Sequence, residues 1–253
     1  MRMYFNTHTH LNSEQLYFNR DVFISHALNE EVDNLCVVGY DVESSKLAVQ
    51  IAHEYPFIYC VVGISPNDCE ETTDEDIQVI EELLQDPKVV ALGEIGLDYH
   101  WDVPRDKQKE VFLKQIDIAK RYNKPIVIHA RDAYEDTYNI LRDAKHYGIM
   151  HCYSGSAQMA QRYIDVGFYI SLAGTVTFKN AKTPKEVAKT VDIDHLLIET
   201  DDPYLTPHPF RGKLNEPANV VYVAKEIAKI KDMAIEDVAR ITTFNAKKVF
   251  GIK

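Results

Sequence analysis

The sequence has no long uninterrupted apolar run and few cysteines. No stretch approaches the 18 or more apolar residues that mark a membrane-spanning helix. The amino terminus also lacks the charged-then-apolar order of a secretory signal, so a cytoplasmic protein is expected. The four cysteines, Cys36, Cys60, Cys69 and Cys152, lack zinc-finger spacing, and the first two lie in apolar runs. They are interpreted as buried, reduced thiols.

Basic residues are scarce relative to acidic ones. The chain has 28 Lys plus Arg against 39 Asp plus Glu, a formal net charge of −11, so its general surface should repel polyanions. This argues against a non-specific coat of DNA, and any contact with nucleic acid must be local. Two divalent ions in one cleft would add positive charge there, so the acidity does not exclude a phosphodiesterase site.

Linkers, low-complexity runs and abrupt charge blocks are also absent, so residues 1–253 are predicted to form a single domain. Short apolar runs alternate with longer amphipathic stretches, which is the pattern of repeated β-α units around a parallel sheet. The length suits a TIM-type (β/α)8 barrel, which needs about 250 residues. Eight strands are predicted, at Met3–Thr7, Asn34–Val38, Ile58–Val62, Val89–Gly93, Pro125–Ile128, Gly148–His151, Tyr169–Leu172 and His195–Glu199. The clearest predicted helices are Val42–Glu54, Asp74–Leu84, Pro104–Tyr122, Glu216–Ile230 and Ile235–Phe250.

Side chains of the types that bind metals lie at the ends of five predicted strands. They are His8 and His10 after the first strand, Glu94 after the fourth, His129 after the fifth, His151 at the end of the sixth and Asp201 after the eighth. The carboxyl ends of barrel strands gather at one rim, so these residues can converge on one site. In an open sheet the first and eighth strands would usually be far apart. The set therefore favours a closed barrel with a metal site at the carboxyl ends of its strands.

The spacing of His8 and His10 has a structural reason. Residues i and i+2 of a strand point to the same face about 6.6 Å apart, so both imidazoles can reach one ion. Taken alone, the pair fits two exposed polar residues equally well. Glu94 leaves an apolar strand between glycines, and a buried carboxylate needs a cation or hydrogen-bond donors. Imidazole with carboxylate suits zinc, manganese, iron or, less naturally, magnesium.

Asp201 and Asp202 form an acidic pair at the end of the last predicted strand. Neighbouring carboxylates repel each other unless cations or protons intervene, which again indicates local positive charge. Asp201 is predicted to be both a metal ligand and the general base. Asp202, on the alternate side, is predicted to face solvent.

A loop at positions 207–217 precedes a predicted helix and carries Arg211, Lys213 and Asn215. Basic side chains beside a helix start suit a phosphate, so these three are candidate substrate contacts. A solvated loop with a helix cap is the alternative. Arg131 is a similar candidate, unless it merely pairs with a carboxylate such as Asp132.

Three aromatic side chains lie close in sequence to the predicted ligands. Tyr99, Trp101 and Tyr204 are candidates for stacking on an unpaired base, and ordinary packing is the equal alternative. Among them, Tyr99 is counted with the candidate substrate contacts.

With these residues assembled, the chain resembles the TatD family of metal-dependent deoxyribonucleases, within the amidohydrolase superfamily. The resemblance runs from end to end. It is carried by Asn6-Thr7-His8-Thr9-His10-Leu11, Gly93 to Tyr99, Ile128 to Ala133, His151-Cys152-Tyr153-Ser154-Gly155, Glu199-Thr200-Asp201 with Pro203-Tyr204, His208 to Pro217, and Thr243-Phe244-Asn245-Ala246.

The resemblance implies two divalent metal ions, with Glu94 between them. One ion would be surrounded by His8, His10, Glu94 and Asp201, and the other by Glu94, His129 and His151. Magnesium, manganese and zinc are the candidate metals. One departure stands out, because the family usually has Gly-x-His-Pro-His where this chain has Gly63-Ile64-Ser65-Pro66-Asn67. Both histidines are missing, and although no predicted ligand is affected, phosphate contacts or substrate choice could differ.

The resulting hypothesis is a monomeric phosphodiester hydrolase, a deoxyribonuclease acting 3′ to 5′ on single-stranded DNA. Two ions would lower the pKa of a bound water and Asp201 would take its proton, so Asp201 and Glu94 are the predicted catalytic residues. One rival is a metal-dependent acyl or amide hydrolase, such as a deacylase of D-aminoacyl-tRNA. A second rival, motivated by Ser65 and Asn67, is a metal-binding partner protein without catalysis.

Overall fold

Eight strands, each parallel to its neighbours, form one sheet in the order β1 to β8 in a computed structural model that describes residues 4–253. The strands are β1 Tyr4–Thr9, β2 Val32–Val38, β3 Ile58–Val62, β4 Val89–Asp98, β5 Ile126–Arg131, β6 Gly148–Met150, β7 Phe168–Leu172 and β8 Leu196–Ile198. The predicted TIM-type barrel is confirmed. Met3, where the first predicted strand begins, lies outside the described residues.

The barrel closes between its first and last strands through side chains as well as backbone. The Thr7 hydroxyl donates to the carbonyl oxygen of Ile198 at 3.1 Å. Just beyond β8, the Asp201 amide donates to the His8 carbonyl at 3.1 Å. These contacts bring the first and eighth strands together, which is the juxtaposition that the metal-site prediction requires.

Helices connect the strands. They are α1 Glu14–Tyr17, α2 Arg20–Asn29, α3 Val42–Glu54, α4 Asp74–Leu83, α5 Arg105–Tyr122, α6 Tyr134–Ala144, α7 Ala157–Asp165, α8 Lys182–Thr190, α9 Val220–Lys231 and α10 Ile235–Phe250. Side-chain capping fixes where several of these helices begin. At the start of α3, the Asp41 side chain accepts from the Ser44 amide at 2.7 Å, and Ser44 Oγ accepts from the Asp41 amide at 2.9 Å. Within residues 4–253, no helix combines the length and apolarity that crossing a membrane requires.

Alternate residues of each strand enter two separate apolar clusters. In β2, Leu35 and Val37 pack outward against the helices, whereas Cys36 and Val38 belong to an inner cluster. Phe250, at the end of α10, joins that inner cluster, and its ring lies 5.7 Å from that of Phe5. The barrel interior is therefore packed, and the site forms above it at the carboxyl ends of the strands.

The fourth strand is longer than the sequence indicated. The prediction ended it at Gly93, but β4 continues through Asp98 and all ten of its residues are buried. Gly96 pairs with His129 at a φ of +145°, and a Cβ there would lie 2.0 Å from the His129 carbonyl oxygen. Gly96 therefore permits pairing to continue beyond the predicted end at Gly93, and Glu94 lies within the strand.

Candidate metal centre

The six predicted metal-binding side chains converge at the carboxyl end of the barrel. His8, Glu94 and His129 lie within β1, β4 and β5. His10 and His151 directly follow β1 and β6, and Asp201 is the third residue after β8. They fall into two sets of donor atoms, each set with its atoms within 4.8 Å of one another. The first donor group is His8, His10 and Asp201, and the second donor group is Glu94, His129 and His151.

In the first donor group, the ring nitrogens face a common point. Nε2 of His8 and Nε2 of His10 lie 3.2 Å apart. Oδ1 of Asp201 is 3.8 Å from the former and 3.6 Å from the latter. The i, i+2 spacing on the strand thus brings both imidazoles to one place.

Glu94 extends one carboxylate oxygen toward each group. Its Oε1 lies 2.7 Å from Nδ1 of His129 and 3.1 Å from Nε2 of His151. Its Oε2 lies 3.5 Å from Nε2 of His8 and 3.9 Å from Nε2 of His10. This division of its two oxygens is the geometry expected of a carboxylate between two cations.

The ring nitrogens that face away from the centre are mostly held by acceptors. His10 Nδ1 donates to the Val38 carbonyl at 3.0 Å, and His129 Nε2 donates to Asp98 Oδ2 at 2.8 Å. Each of these bonds places a proton on the outer nitrogen, so in the neutral ring the lone pair lies on the nitrogen that points inward. Such outer partners commonly fix the tautomer of histidines that bind metal.

These donors fit divalent cations. Among the described residues, the ion pairs of Glu94 and Asp201 are all with histidine, so lysine and arginine do not neutralise the two carboxylates. Four imidazoles with a ring nitrogen directed inward, together with two carboxylates, are a donor set for zinc, manganese or iron, and sulfur is not part of it.

The centre lies at the bottom of an open cleft of about 750 Å³. His8 is fully buried and Glu94 is 7% exposed, so a reacting group must descend below the rim to reach them. Three predicted substrate-facing residues line this cleft: Arg131, Trp101 and Tyr204. The Arg131 guanidinium carbon lies 5.9 Å from the centre of the Trp101 ring, so a cation and an aromatic face stand together at the mouth.

Comparison with known proteins gives the family. A profile described as "TatD related DNase" matches residues 5–251. An uncharacterized metal-dependent hydrolase of Bacillus subtilis, YabD, is 52% identical over 254 residues, covering 99% of this chain and all of YabD. The chain belongs to the TatD family.

Solved structures agree with that membership of the TatD family. The crystal structure of YjjV, a TatD homolog from Escherichia coli, superposes with a TM-score of 0.95 at 26% identity, covering 99% of this chain and 98% of YjjV. An uncharacterized amidohydrolase from Saccharomyces cerevisiae gives a TM-score of 0.85 at 17% identity, over 98% and 100% of the two chains. The second likeness shows the barrel fold that this TatD protein shares with an amidohydrolase.

Four residues predicted as substrate contacts do not line the cleft of this TatD protein. The Tyr99 hydroxyl donates to Asp136 at 2.7 Å. The amide of Asn215, which is fully buried, donates to the Thr200 and Tyr204 carbonyls at 3.1 and 2.6 Å and so anchors the loop after β8. Arg211 and Lys213 are exposed, and their cationic groups lie over the rings of Phe178 and Phe210, respectively. These four side chains lie outside the lining of the cleft, and their role in substrate binding stays a prediction.

Asp202 is buried, and the expectation that it faces solvent is wrong. Its carboxylate accepts from the Thr9 hydroxyl at 2.7 Å, from the His10 amide at 3.2 Å and from the Thr200 hydroxyl. Burial raises the pKa of Asp202 to about 6, against the lowering effect of the bonds from Thr200 and Thr9. Asp202 therefore fixes the loop that carries Asp201 and the backbone of His10. Strict strand alternation does not apply here, because β8 ends at Ile198.

Two carboxylates behind the histidines were not predicted from the sequence. Asp98, fully buried, accepts from His129, and Glu199, also fully buried, accepts from Nδ1 of His151 at 3.2 Å. The only sequence signal was their place in the Gly93–Tyr99 and Glu199–Asp201 motifs. Their roles depend on side-chain direction, which spacing alone leaves open.

The family's usual histidines are replaced by Ser65 and Asn67, and both line the cleft. The Ser65 hydroxyl donates to Asp68 Oδ2 at 2.6 Å, and its oxygen also accepts from the Asn67 amide at 3.1 Å. Ser65 therefore belongs to a local turn network, and neither donor group includes a residue from this segment. Cys152 also lines the cleft, whereas the other three cysteines are buried and free as expected.

The carboxylates and imidazoles of the centre shift one another's pKa values. Burial alone would raise the pKa of Glu94, but the charge of His151 and hydrogen bonds from the histidines outweigh it and hold that pKa well below its ordinary value. Burial would lower the pKa of His129, but its bonds to Asp98 and Glu94 raise it to about 9. In the metal-free protein at neutral pH, the His129 ring is therefore protonated on both nitrogens, and a metal ion must displace the proton from the inward one.

This linkage predicts how the metal-free protein responds to pH. A histidine whose pKa rises from 6.5 to about 9 on folding contributes stability that is fully present below pH 6.5 and is lost as pH rises through 9. The loss for His129 is on the order of 3 kcal/mol, or roughly 5–10 °C in Tm for a chain of this size. Calorimetry of chelator-treated protein from pH 6.5 to 9.5 should show that decline, with a shallower one in His129→Gln. A flat Tm in the wild type would contradict it.

Proposed function

We propose that this TatD-family protein is a phosphodiester hydrolase that removes nucleotides from the 3′ end of single-stranded DNA. The observation that supports it most directly is the division of the two Glu94 oxygens between the donor groups. Two cations a few ångströms apart are suited to an in-line displacement at phosphorus, in which attacking and leaving oxygens both develop charge.

Ions held by the two donor groups would supply Lewis-acid activation of a phosphodiester and of the attacking water. The chain itself supplies a candidate general base, Asp201, in the first donor group. The Asp201 side chain, 16% exposed, is more accessible than that of Glu94 at 9%. Burial opposes ionisation of Asp201, but the hydrogen bond from His10 and nearby imidazole charge lower its pKa, so it is a carboxylate at neutral pH. We assign to Asp201 the removal of a proton from the attacking water.

The shape of the cleft supports a strand end as substrate. The donor groups lie beneath a rim that holds Trp101 and Tyr204, which are 56% and 63% exposed. A terminal unpaired nucleotide can place its base against such aromatic faces while its phosphate passes down toward the donors. Arg131 offers the cation at this mouth, where the overall charge of −11 would otherwise repel a polyanion.

One chain supplies all the donors of both groups, so a monomer is sufficient for this chemistry. A cytoplasmic monomer acting on DNA remains our proposal for its working state.

The test is hydrolysis of a single-stranded oligonucleotide carrying a 5′ label, after reconstitution with magnesium, manganese or zinc. The wild type should give a ladder shortened from the 3′ end, and a 3′-labelled strand should release mononucleotide first. His129→Ala should reduce the rate by about 100-fold or more, because losing a metal ligand removes part of the Lewis-acid stabilisation. His53→Ala is the matched control, because His53 is exposed, pairs with Asp86 and does not line the cleft.

Cleavage that survives in His129→Ala would contradict the assigned site. A metal-loaded wild type that leaves DNA intact but hydrolyses an aminoacyl ester in a parallel assay would replace this proposal with the acyl-hydrolase alternative. Retained metal without turnover of either substrate would favour a non-catalytic metal-binding protein.

A further inference from the structure

His8 differs from the other three histidines of the centre. The outer nitrogens of His10, His129 and His151 each have a direct hydrogen-bond acceptor. Nδ1 of His8 is buried and has no hydrogen-bond partner among residues 4–253. A neutral histidine can bind a metal through Nε2 only if its proton resides on Nδ1, so something must favour that tautomer of His8.

Glu199 is a buried carboxylate close to the His8 ring. Its Oε1 accepts from the Cys152 amide at 2.7 Å and from His151 Nδ1 at 3.2 Å, whereas its Oε2 is buried without a partner in the described chain. One ring nitrogen of His8, one of His151 and one oxygen of Glu199 all lie within 4.8 Å of one another. The two imidazoles stack with ring centres 4.1 Å apart and planes inclined by 16°, so one carboxylate can lie beside both.

We propose that Glu199 is a positioning residue that holds the Nδ1–H tautomer of His8 as well as that of His151. Because His8 belongs to the first donor group and His151 to the second, this single carboxylate prepares one imidazole of each. The inference rests on the metal centre of the proposed function and is independent of the substrate.

The electrostatics of the pair support this assignment. Nε2 of His8 faces the centre, so Nδ1 is the ring nitrogen left to face Glu199. An N–H there would direct its positive end toward a fully buried carboxylate whose Oε2 lacks a donor. With the proton on Nε2, a lone pair would face Glu199, and an N–H would occupy the place where a cation should bind. One ring nitrogen of His8 and one oxygen of Glu199 lie within 4.8 Å of each other, which is short enough for charge–dipole attraction or for one bridging water.

Glu199→Gln separates this role from simple packing. The glutamine carbonyl can still accept from the Cys152 amide and His151 Nδ1, so the backbone and His151 keep their bonds. The new amide group donates toward Nδ1 of His8 and favours the opposite tautomer. We expect the ¹⁵N spectrum of chelator-treated protein at pH 7.5 to show His8 changing from Nδ1–H to Nε2–H, with His151 unchanged.

Metal binding gives a second readout. In Glu199→Gln, isothermal titration with manganese should show one site weakened about 10- to 100-fold, as is typical when an outer partner of a ligand is lost. Asp98→Asn is the matched comparison, because Asp98 contacts His129 alone among the four histidines. It should leave the His8 tautomer unchanged. Equal melting temperatures would show that both variants fold.

Each outcome decides the inference. A wild-type His8 protonated on Nε2 would overturn it without any variant being needed. So would an Nδ1–H His8 in a folded Glu199→Gln protein. If the tautomer changes as expected but wild type binds no manganese, the assignment of Glu199 holds and the proposed metal chemistry fails. If Glu199→Gln does not fold, Glu199→Asp must retain Nδ1–H on His8, and its loss would overturn the inference.

Discussion

Glu94→Gln is expected to abolish turnover and to weaken metal binding at both donor groups together. The substitution keeps the shape of the side chain but removes the charge between them. It also replaces one oxygen by an amide NH2, which would face either His129 and His151 or His8 and His10. The amide NH2 of the glutamine has no lone pair available for a metal ion, so it cannot bind a cation together with the neighbouring imidazole nitrogen. Loss of both ions would remove several kcal/mol of transition-state stabilisation, about 10³-fold or more in kcat.

The measurement is metal content by mass spectrometry beside single-turnover cleavage of the labelled strand. Glu43→Gln is the matched control, because the Glu43 carboxylate is 81% exposed and its ion-pair partner within residues 4–253 is Lys46, three positions along the same helix. That control should keep both metal content and rate. Glu94→Gln that retains two ions would show that the split of its oxygens does not reflect bridging.

The sequence predicts the barrel and the six donors because both depend on strand order and strand ends. An apolar run that ends in His129 or His151 places a ligand at the carboxyl rim of a parallel barrel, whatever the detailed packing. The i, i+2 rule similarly places His8 and His10 on one face. Strand ends and residue spacing can both be read from the sequence alone, and the barrel fold brings the side chains at these positions close together.

The outer carboxylates and the loop after β8 depend on contacts that one-dimensional signals do not encode. Asp202 turns inward because the chain leaves β8 at Ile198, so alternation no longer describes residues beyond it. Asn215 resembles a helix cap or a phosphate contact in sequence, but its amide is bonded to two carbonyls. Glu199 could be assigned only once its distance to two histidines was known. In each case a polar side chain satisfies a buried partner distant in sequence.

Asp201→Asn separates metal binding from proton transfer. The second donor group does not include Asp201, and the variant amide oxygen can still occupy the place of Oδ1 near His8 and His10. We therefore expect at least one ion to be retained. An amide cannot accept the proton of an attacking water, so kcat should fall by about 10²- to 10⁴-fold, the usual contribution of a general base.

Asp132→Asn tests whether loss of one carboxylate charge near the cleft is enough to lower kcat as expected for Asp201→Asn. Asp132 is exposed, lies beside Arg131 and has a φ of 53°, a conformation that asparagine adopts readily. It should keep a rate close to that of the wild type under the same metal. Rates for all three proteins should be compared at saturating oligonucleotide, with metal content measured on the same samples. If metal-loaded Asp201→Asn cleaves DNA at nearly the wild-type kcat, Asp201 is a ligand only, and the proton must leave by another route.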